Sequence, residues 1–527
     1  MTFTSHTTAY VSIGTSASDS EDSDVGNLSL LVRSQRTLDR DTPPRSMDEF
    51  LEDAYNNCNS RYGRCRYLMI FVFLGIANVG DLAETVCIGY VLSNPQFQET
   101  MLHNDLGVKG ALVASAVIIG MILGGILAGD TLKRKQTLML GLTTNSITGF
   151  ASAMAPNIHC LVAARFMCGM GIGAITSVLT ALAAELSPPN ERGFLVSITT
   201  GLGVLGSIYS AFVGFLCFGV LEWSWRVFLI LATGPNLLGL ILISFGVPDS
   251  PRNLALHGDY KMAKKCANRT AQTLGYQGQF MTCKEVEAYM HHANEYKHEE
   301  PKPYCHHFVQ AWRNAILLYS NDGTTRRATI TLQLLFIAIG SGSGVGLWIN
   351  TILNKVHASG VYLTTFFMAL ASIPGTALCA ILVDRVGRKP LFASFLAFTA
   401  LFMGALSIVV SSTLSPTWIL VCVMFYNAFF SAAWNVIFVM TAEAFPTQVR
   451  GTGTGLCAAT GRFAIVGAQF VYGSLVDTPG KLLAVGCAIM MLGSIVSCFV
   501  PLQDMSNRPL SDNVKGADTM NQDIYER

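Results

Sequence analysis

Residues 384–389 read Asp384-Arg-Val-Gly-Arg-Lys389, a short polar loop between two long apolar stretches. The stretch before the loop covers approximately residues 360–383, and the stretch after it covers 390–411. A helix needs about 20 apolar residues to cross a bilayer, and both stretches are long enough. Loops rich in arginine and lysine are typical of the cytosolic side of membrane proteins. The sequence here predicts a hairpin of two transmembrane helices with a cytosolic turn.

An internal repeat extends this hairpin to the rest of the chain. The loop Asp130-Thr-Leu-Lys-Arg-Lys135 is similar to residues 384–389. A second motif follows two apolar stretches later in each half: Glu185-Leu-Ser-Pro-Pro-Asn-Glu-Arg192 and Glu443-Ala-Phe-Pro-Thr-Gln-Val-Arg450. Two separate motifs at matching places indicate two homologous halves, related by an axis along the membrane normal.

Twelve apolar stretches, called spans 1 to 12 below, are long enough to cross a bilayer. Their approximate limits are 67–92, 108–129, 136–155, 159–181, 194–218, 226–247, 328–353, 360–383, 390–411, 417–443, 453–476 and 482–501. We therefore predict an all-α membrane protein whose twelve transmembrane helices form two six-helix bundles.

The composition agrees with this organisation and excludes several classes of protein. Of the 527 residues, 51% are hydrophobic and only 13% are charged. Soluble domains carry about 25% charged residues, so an ordinary soluble enzyme is excluded. The formal net charge of +1 gives no electrostatic basis for a nucleic-acid partner. No catalytic triad, metal-ligand set or cofactor-binding loop is visible, and we predict neither an enzyme nor a bound cofactor or metal.

The polar segments divide the chain into five parts. The N-terminal segment is rich in serine, threonine and aspartate, which predicts a disordered tail. The predicted parts are the N-terminal tail 1–66, the first bundle 67–247, a linker 248–327, the second bundle 328–501 and the C-terminal tail 502–527.

The linker contains two candidate surface helices and a group of metal-binding residue types. Residues 259–271 and 307–320 have the pattern of amphipathic helices. Histidines and a cysteine occur between residues 291 and 307, but without an established zinc-finger spacing. A metal site there is the minor alternative.

The basic residues of the short loops predict the orientation. Most of them follow even-numbered spans: Lys133, Arg134, Lys135, Arg192, Arg385, Arg388, Lys389 and Arg450. The positive-inside rule then places both termini and the linker in the cytosol. The plasma membrane and an endomembrane vesicle are both compatible with this topology.

These motifs resemble the signatures of the major facilitator superfamily. Residues 384–389 match the loop pattern Asp-Arg-x-Gly-Arg-Lys of that family completely, and residues 130–135 match it in part. Arg165-Phe-Met-Cys-Gly-Met-Gly-Ile-Gly173 resembles its fourth-helix motif. Pro248-Asp-Ser-Pro-Arg252 resembles the box after helix 6 in the branch of sugar porters, organic-ion transporters and synaptic-vesicle-related transporters. The resemblance implies the major facilitator fold and transport by alternating access.

Span 1 narrows the resemblance within that branch. Asn78-Val-Gly-Asp-Leu-Ala-Glu84 is similar to a segment of the synaptic-vesicle-glycoprotein group, although the large insert of that group between helices 7 and 8 is absent. Phe438 stands where sugar porters usually carry a tryptophan, which argues against a hexose as the solute.

Two acidic residues lie in the middle of span 1. Asp81 and Glu84 are three residues apart, so both project from one side of the helix. Charge at bilayer depth costs at least ~2.5–3.5 kcal/mol per group, and each acid therefore needs a partner or a wet cavity. Arg165 in span 4 is the candidate cation, and the combination resembles the proton-coupling pair of related porters. We expect Asp81 to couple protons and Glu84 to contact solute; the alternative is a static ion pair that only fixes the helices.

The second half offers candidates for binding the solute. Arg462 in span 11 is placed to meet an anionic group, or alternatively to bind backbone carbonyls. Five residues are candidates for lining a central cavity: Trp348, Asn350, Asn427, Trp434 and Asn435. Interhelical hydrogen bonds would explain the asparagines almost as well, and lipid packing would explain the tryptophans.

The charged residues of the repeated loops are candidates for a cytosolic gate. Basic loops with an embedded acid can cross-link neighbouring helices in one state and release them in another. The candidates are Asp130, Arg134, Lys135, Glu185, Arg192, Asp384, Arg385, Arg388, Lys389, Glu443 and Arg450. Control of topology by positive charge alone is the alternative.

The sequence thus predicts a monomeric secondary transporter in the lipid bilayer, which moves a small polar or charged organic solute with a proton or another coupling ion. An organic cation, a carboxylate and a zwitterion all remain open as substrates. The alternative is a receptor or vesicle membrane protein that has kept the transporter fold without transport. The intramembrane Asp81, Glu84 and Arg165 favour transport, because a protein that moves no solute has little physical reason to keep them.

Overall fold

The computed structural model describes residues 47–58, 61–103, 105–127, 133–188, 191–256, 258–287, 316, 318–319, 323–356, 360–412, 416–445 and 450–499. Within these ranges the chain is helical and contains no β-strand. Ten of the described helices are long and apolar enough to cross a membrane. Two more polar helices, Arg134–Ala153 and Arg450–Ser474, lie among them and complete the predicted twelve.

The first bundle follows the predicted order of spans. Spans 1 to 4 are Arg61–Leu92, Leu106–Leu127, Arg134–Ala153 and Ile158–Leu186. Span 5 consists of Arg192–Gly201 and Val204–Gly214 and continues as a π-helix, Phe215–Val220; span 6 consists of Trp225–Ala232 and Gly234–Gly246. The interruption of span 6 at Thr233 precedes Pro235, which has no N–H group for a continuous helix.

The second bundle repeats this arrangement. Its spans 7 to 12 are Gly323–Lys355, Val361–Leu370 with Ser372–Val386, Arg388–Ser411, Pro416–Ala444, Arg450–Ser474 and Pro479–Phe499. Span 7 begins before residue 328, so it takes over the last residues of the predicted linker.

An additional helix, Met47–Asn56, precedes span 1. Phe50 and Ala54 are fully buried in it, and Asp53 accepts a hydrogen bond from Tyr276 of the linker at 2.6 Å. The predicted disorder of residues 1–66 therefore does not hold for 47–58 or for 61–66, where span 1 has already begun. The reason is an apolar face at helical spacing, which the polar average of the tail conceals.

The first predicted linker helix is present as Tyr260–Leu274. Asp259 caps its N-terminus by accepting from the Met262 N–H, and Gly275 ends it in a left-handed conformation at φ 80°. Its buried face consists of Ala263, Ala267, Thr270, Ala271 and Leu274. Of the second predicted linker helix, 307–320, only residues 316, 318 and 319 are described, and the prediction stays untested.

Glycines allow equivalent helices to approach closely in both bundles. A Cβ atom at Gly169 in span 4 would lie 2.0 Å from the Val117 carbonyl oxygen in span 2. A Cβ atom at Gly375 in span 8 would lie 2.1 Å from the Ala428 carbonyl oxygen in span 10. The packing of span 2 against span 4 is therefore repeated by spans 8 and 10.

Several contacts between the two bundles lie at the end of the molecule where span 1 terminates, called the opposite face; the repeated loops lie on the motif face. Asn354 donates to the Ser93 carbonyl oxygen across the two halves at 2.7 Å, and the rings of Phe218 and Tyr362 lie 5.3 Å apart. Hydrogen bonds and ring contacts thus join the halves at the opposite face.

Candidate functional site

An ion pair lies inside the first bundle. Glu84 of span 1 accepts a hydrogen bond from Arg165 of span 4, with 2.7 Å between Oε2 and Nη1. Both side chains have 0% exposure. The loss of hydration offsets most of the attraction in such a pair, but removing one partner leaves a costly lone charge. The pair therefore holds span 1 against span 4 only while both residues are charged.

Further polar groups enclose the Glu84 carboxylate. The Thr233 hydroxyl oxygen lies 2.5 Å from Oε1, and the Cys87 sulfur lies 3.6 Å from Oε2. Thr233 reaches this position from the interruption of span 6. A Cβ atom at Gly149 in span 3 would lie 2.8 Å from Oε1, so glycine leaves the space that the carboxylate occupies. Spans 3, 4 and 6 thus surround this side chain.

Asp81 is equally buried but has different neighbours. Its side chain is 2% exposed, and Oδ1 accepts a hydrogen bond from Asn145 Nδ2 of span 3 at 3.3 Å. Among the described residues, Oδ2 has no hydrogen-bond partner and Asp81 has no ion pair. The two acids of span 1 therefore differ: Glu84 has a cation and Asp81 has none.

A polar chain connects the surroundings of the two acids. Asn145 Oδ1 accepts a hydrogen bond from the Cys168 thiol at 2.8 Å, and the same sulfur lies 4.0 Å from Glu84 Oε2. Asn145 and Cys168 both have 0% exposure. Neither was a candidate from the sequence. The available signals were an amide inside an apolar span and a thiol inside the motif of residues 165–173.

Arg165 keeps unused donors. Nη1 lies 3.3 Å from the Cys87 sulfur in addition to its bond with Glu84. Nε and Nη2 are buried and have no hydrogen-bond partner among the described residues. Buried donors usually have partners, so these two groups are exceptions among the described residues.

Span 10 of the second bundle carries a row of aromatic side chains. Tyr426, Phe430, Trp434 and Phe438 follow one another at intervals of four residues, with 5.7, 6.2 and 5.6 Å between successive ring centroids. Phe336 of span 7 packs against Trp434 at 6.0 Å and against Phe438 at 5.8 Å. Phe438 is 47% exposed, so the row ends in an accessible ring.

Two of the predicted cavity residues lie buried in span 7. Trp348 has 0% exposure and donates from Nε1 to Gln469 Oε1 of span 11 at 2.8 Å. Asn350 is 2% exposed, and its Oδ1 has no partner among the described residues. In this conformation, Trp348 acts as a contact between helices rather than as the wall of an open cavity.

The two asparagines of span 10 bond to backbone. Asn427 donates to the Met368 carbonyl oxygen of span 8 at 2.7 Å, and Asn435 donates to the Ser431 carbonyl oxygen at 2.9 Å. The alternative interpretation, interhelical hydrogen bonding, describes Asn427 and also Asn435, whose Nδ2 donates to the Thr376 hydroxyl oxygen of span 8 at 3.4 Å.

Arg462 is half-buried in span 11. Among the described residues it forms no hydrogen bond and no ion pair, and its Nη1 would lie 3.9 Å from a Cβ atom at Gly125 of span 2. The predicted alternative, a bond to backbone carbonyls, is not formed. Its guanidinium therefore lies at the junction of the two bundles, and no described residue pairs with its charge.

Charged residues of the first repeated loop bond to neighbouring helices on the motif face. Arg134 Nε lies 3.4 Å from Glu185 Oε1, which ties span 3 to span 4. Arg192 donates from Nε to the Ala184 carbonyl oxygen at 3.2 Å. Both ties lie within the first bundle.

The same loop also holds the segment after span 6. Lys133 Nζ lies 3.0 Å from Asp259 Oδ2, and this hydrogen bond lowers the pKa of Asp259 from its usual value. The backbone N–H of Lys135 donates to Asp249 Oδ1 at 3.3 Å. The box at residues 248–252 and the start of the linker helix are thus fastened to the loop between spans 2 and 3.

The second repeated loop is described in part. Arg385 is exposed, Arg388 donates to the Val383 carbonyl oxygen at 3.1 Å, and Lys389 is half-buried. Asp130 lies outside the described residues, as do the side chains of Asp384, Glu443 and Arg450. The cluster at 291–307 is also outside, and in the described part of the chain no three His, Cys, Asp or Glu residues form a metal-binding group.

Two six-helix bundles with repeated loops, a junction between them and buried charge in one of them define a membrane transporter of the major facilitator type. The chain belongs to the sugar (and other) transporter family, whose sequence model matches residues 84–512. It is therefore a multi-pass membrane protein, and its family consists of transporters rather than enzymes. The predicted fold class and superfamily are confirmed.

Individual relatives and a solved structure agree with this assignment. The chain is 26% identical over 426 residues to the niacin transporter NiaP of Acinetobacter baylyi, covering 78% of this chain and 88% of that protein. It is 25% identical over 488 residues to organic cation/carnitine transporter 7 of Arabidopsis thaliana, covering 85% and 94%. The inward-open structure of the xylose transporter XylE from E. coli superposes with a TM-score of 0.65 at 18% identity, covering 86% and 99%, which shows the shared fold.

Proposed function

We propose that this transporter moves a small polar or charged organic solute by alternating access, coupled to protons, as a monomer with both termini in the cytosol. The observation that carries the proposal is the buried polar group of the first bundle, in which Asp81 lies without a cation beside the Glu84–Arg165 pair. A static tie between helices requires only one acid and one base. The additional buried carboxylate is what a proton-coupled cycle requires.

Asp81 is the proton carrier in this mechanism. A carboxylate removed from water without a cation is unfavourable as an anion, so this packing suits the protonated acid. Glu84 has a guanidinium and a hydroxyl as donors, and these stabilise the carboxylate form. The role predicted for Asp81 is kept. The role predicted for Glu84 is changed, because an enclosed carboxylate with 0% exposure does not meet solute in this state; Glu84 holds Arg165.

Release of the proton would create a second anion in the same dry region. That anion would compete with Glu84 for Arg165, whose Nε and Nη2 groups have no partner among the described residues. A guanidinium that shifts between two acids of span 1 would move span 4 relative to span 1. Two conformations of a transporter can differ in a contact of this kind, which has two alternative positions.

The second bundle supplies the contacts with solute in this proposal. Trp434 and Phe438 offer aromatic faces, which attract organic cations as well as planar rings. Arg462 offers a positive charge that has no partner among the described residues. Niacin and carnitine, the solutes named for two relatives, both carry a carboxylate. An organic carboxylate or zwitterion therefore fits this bundle better than a simple organic cation.

Uptake into proteoliposomes tests the function. We would compare tetraethylammonium, nicotinate, carnitine and xylose under imposed pH gradients in both directions. Accumulation of one solute class that follows the pH gradient supports the proposal. Transport that ignores every pH gradient would remove the proton coupling, and binding without flux for all four would favour the receptor alternative.

Asp81→Asn gives the sharpest outcome in this assay. Neutral asparagine imitates the protonated acid and cannot release a proton, so we expect loss of gradient-driven accumulation while solute exchange at equilibrium persists. Ser210→Ala is the matched control, because Ser210 is buried and donates to the Ala83 carbonyl oxygen of span 1 without touching either acid. Accumulation by Asp81→Asn at the wild-type level would make Asp81 structural.

A further inference from the structure

Asn145 joins Asp81 to the Cys168 thiol through both ends of its amide. Nδ2 donates to Asp81 Oδ1 at 3.3 Å, and Oδ1 accepts from Cys168 at 2.8 Å. All three residues are at least nine-tenths buried, on spans 1, 3 and 4. Hydrogen bonds inside a dry region are stronger than in water. In a chain of such bonds each one polarises the next, so the bond between Cys168 and Asn145 strengthens the bond to Asp81.

The orientation of the Asn145 amide follows from its neighbours. An amide has a donor end and an acceptor end of nearly equal size, and only its partners decide which way it points. Cys168 is a weak donor when protonated, so it selects the carbonyl end of Asn145. The N–H₂ end is thereby directed at Asp81. In the reverse orientation, the amide oxygen would face the carboxyl group of Asp81.

No other side chain in the described part of the molecule donates to the Asp81 carboxyl group. The other buried polar groups of this cluster bond to Glu84, to one another or to the backbone of span 1: those of spans 1 and 4 are charged or titratable, whereas those of spans 5 and 6 are uncharged. The first set is Glu84, Cys87, Arg165 and Cys168, and the second set is Ser210, Thr233 and Asn236. Among the described side chains, Asn145 is therefore the one hydrogen-bond donor that stabilises the charged form of Asp81 relative to the protonated form.

We propose that Asn145 is a positioning residue that sets the proton affinity of Asp81, and that Cys168 keeps the Asn145 amide in the required orientation. This inference rests on the proposed role of Asp81 as proton carrier. A donor stabilises the carboxylate more than the acid, because the hydrogen bond to a charged oxygen is the stronger one. Asn145 thus makes release of the proton possible in a region that otherwise retains it.

Infrared titration of the purified full-length protein in liposomes tests the proposal without any solute. The C=O bands of protonated carboxyl groups appear as pH falls, and the component that the wild type shows and Asp81→Asn lacks is assigned to Asp81. In Asn145→Ala, we expect the midpoint of this band to move to higher pH by about one unit or more, since a donor to the carboxylate is lost.

Variants of Cys168 separate orientation from packing. Cys168→Ser keeps a donor and should retain the wild-type midpoint, whereas Cys168→Ala should shift it in the same direction as Asn145→Ala, by a smaller amount. Ser210→Ala should leave the midpoint unchanged even if it lowers thermal stability. If Asn145→Ala does not fold, the midpoints of Asn145→Ser, Cys168→Ser and Cys168→Ala test the same proposal.

Two results would overturn the inference. One is a midpoint that stays at the wild-type value in the folded Asn145 variants and in Cys168→Ala. The other is a pH-dependent C=O band that is the same in the wild type and in Asp81→Asn, because Asp81 would then contribute nothing to it. Nicotinate uptake by the wild type under a pH gradient is a separate readout, and its failure would count against the proposed function instead.

Discussion

In the first bundle, the two acids of span 1 meet Arg165 of span 4 inside the protein. In the second bundle, the equivalent spans 7 and 10 place Phe336 against the aromatic row of Trp434 and Phe438. Yet the glycine contacts between spans 2 and 4 return between spans 8 and 10. Among the described residues, the close helix packing is therefore repeated in the two bundles, whereas the buried charged residues are not. This contrast supports our proposal that coupling belongs to the first bundle and solute contact to the second.

Removing Arg165 gives the largest effect that this comparison predicts. Arg165→Met would leave Glu84 charged and unpaired in a dry site, which costs about 3–5 kcal/mol of the free energy of unfolding. Thermal unfolding in detergent measures the loss. The double variant Glu84→Gln with Arg165→Met removes both charges and should recover part of the stability. A single variant as stable as the wild type would mean that the first bundle does not depend on this pair.

The shared packing predicts intermediate and equal effects in the two bundles. Gly169→Ala and Gly375→Ala each bring a methyl group against a backbone carbonyl oxygen, 2.0 and 2.1 Å from the new carbon before relaxation. We expect each to lower the free energy of unfolding by about 1–3 kcal/mol. Gly467→Ala is the control, because nothing lies within 4 Å of a Cβ atom there. A large effect in only one bundle would break the equivalence of spans 2 and 4 with spans 8 and 10.

The smallest effect on stability is expected for the arginine of the second bundle. Arg462 has no described partner, so Arg462→Gln should change the free energy of unfolding by no more than about 0.5 kcal/mol. Transport should still change: uptake of nicotinate should fall while that of tetraethylammonium does not, provided that both solutes are carried. Equal uptake of both solutes by variant and wild type would exclude Arg462 as the contact for an anionic group.

Spans and motifs were predictable because their signals are local. The length of an apolar run, a loop pattern such as residues 384–389 and the presence of Arg165 within a span require no knowledge of neighbours. The helix at Met47–Asn56 was missed because a short apolar face is lost in a polar segment. Asn145 and Cys168 were missed for a different reason: a single amide or thiol in an apolar span acquires meaning only from the side chain opposite it.

The sequence by itself determined that the chain crosses a membrane twelve times, that its halves are repeats and that charge is buried in the first of them. These properties depend on the free-energy cost of exposing polar groups to lipid, and this cost is set by the residues of each segment alone. Only the tertiary structure decided that Arg165 pairs with Glu84 while Asp81 meets Asn145. Three residues along a helix rotate the side chain by about 300° and raise it by about 4.5 Å. Neighbouring acids on one side of span 1 therefore point at different helices, and the position of those helices is a property of the folded bundle.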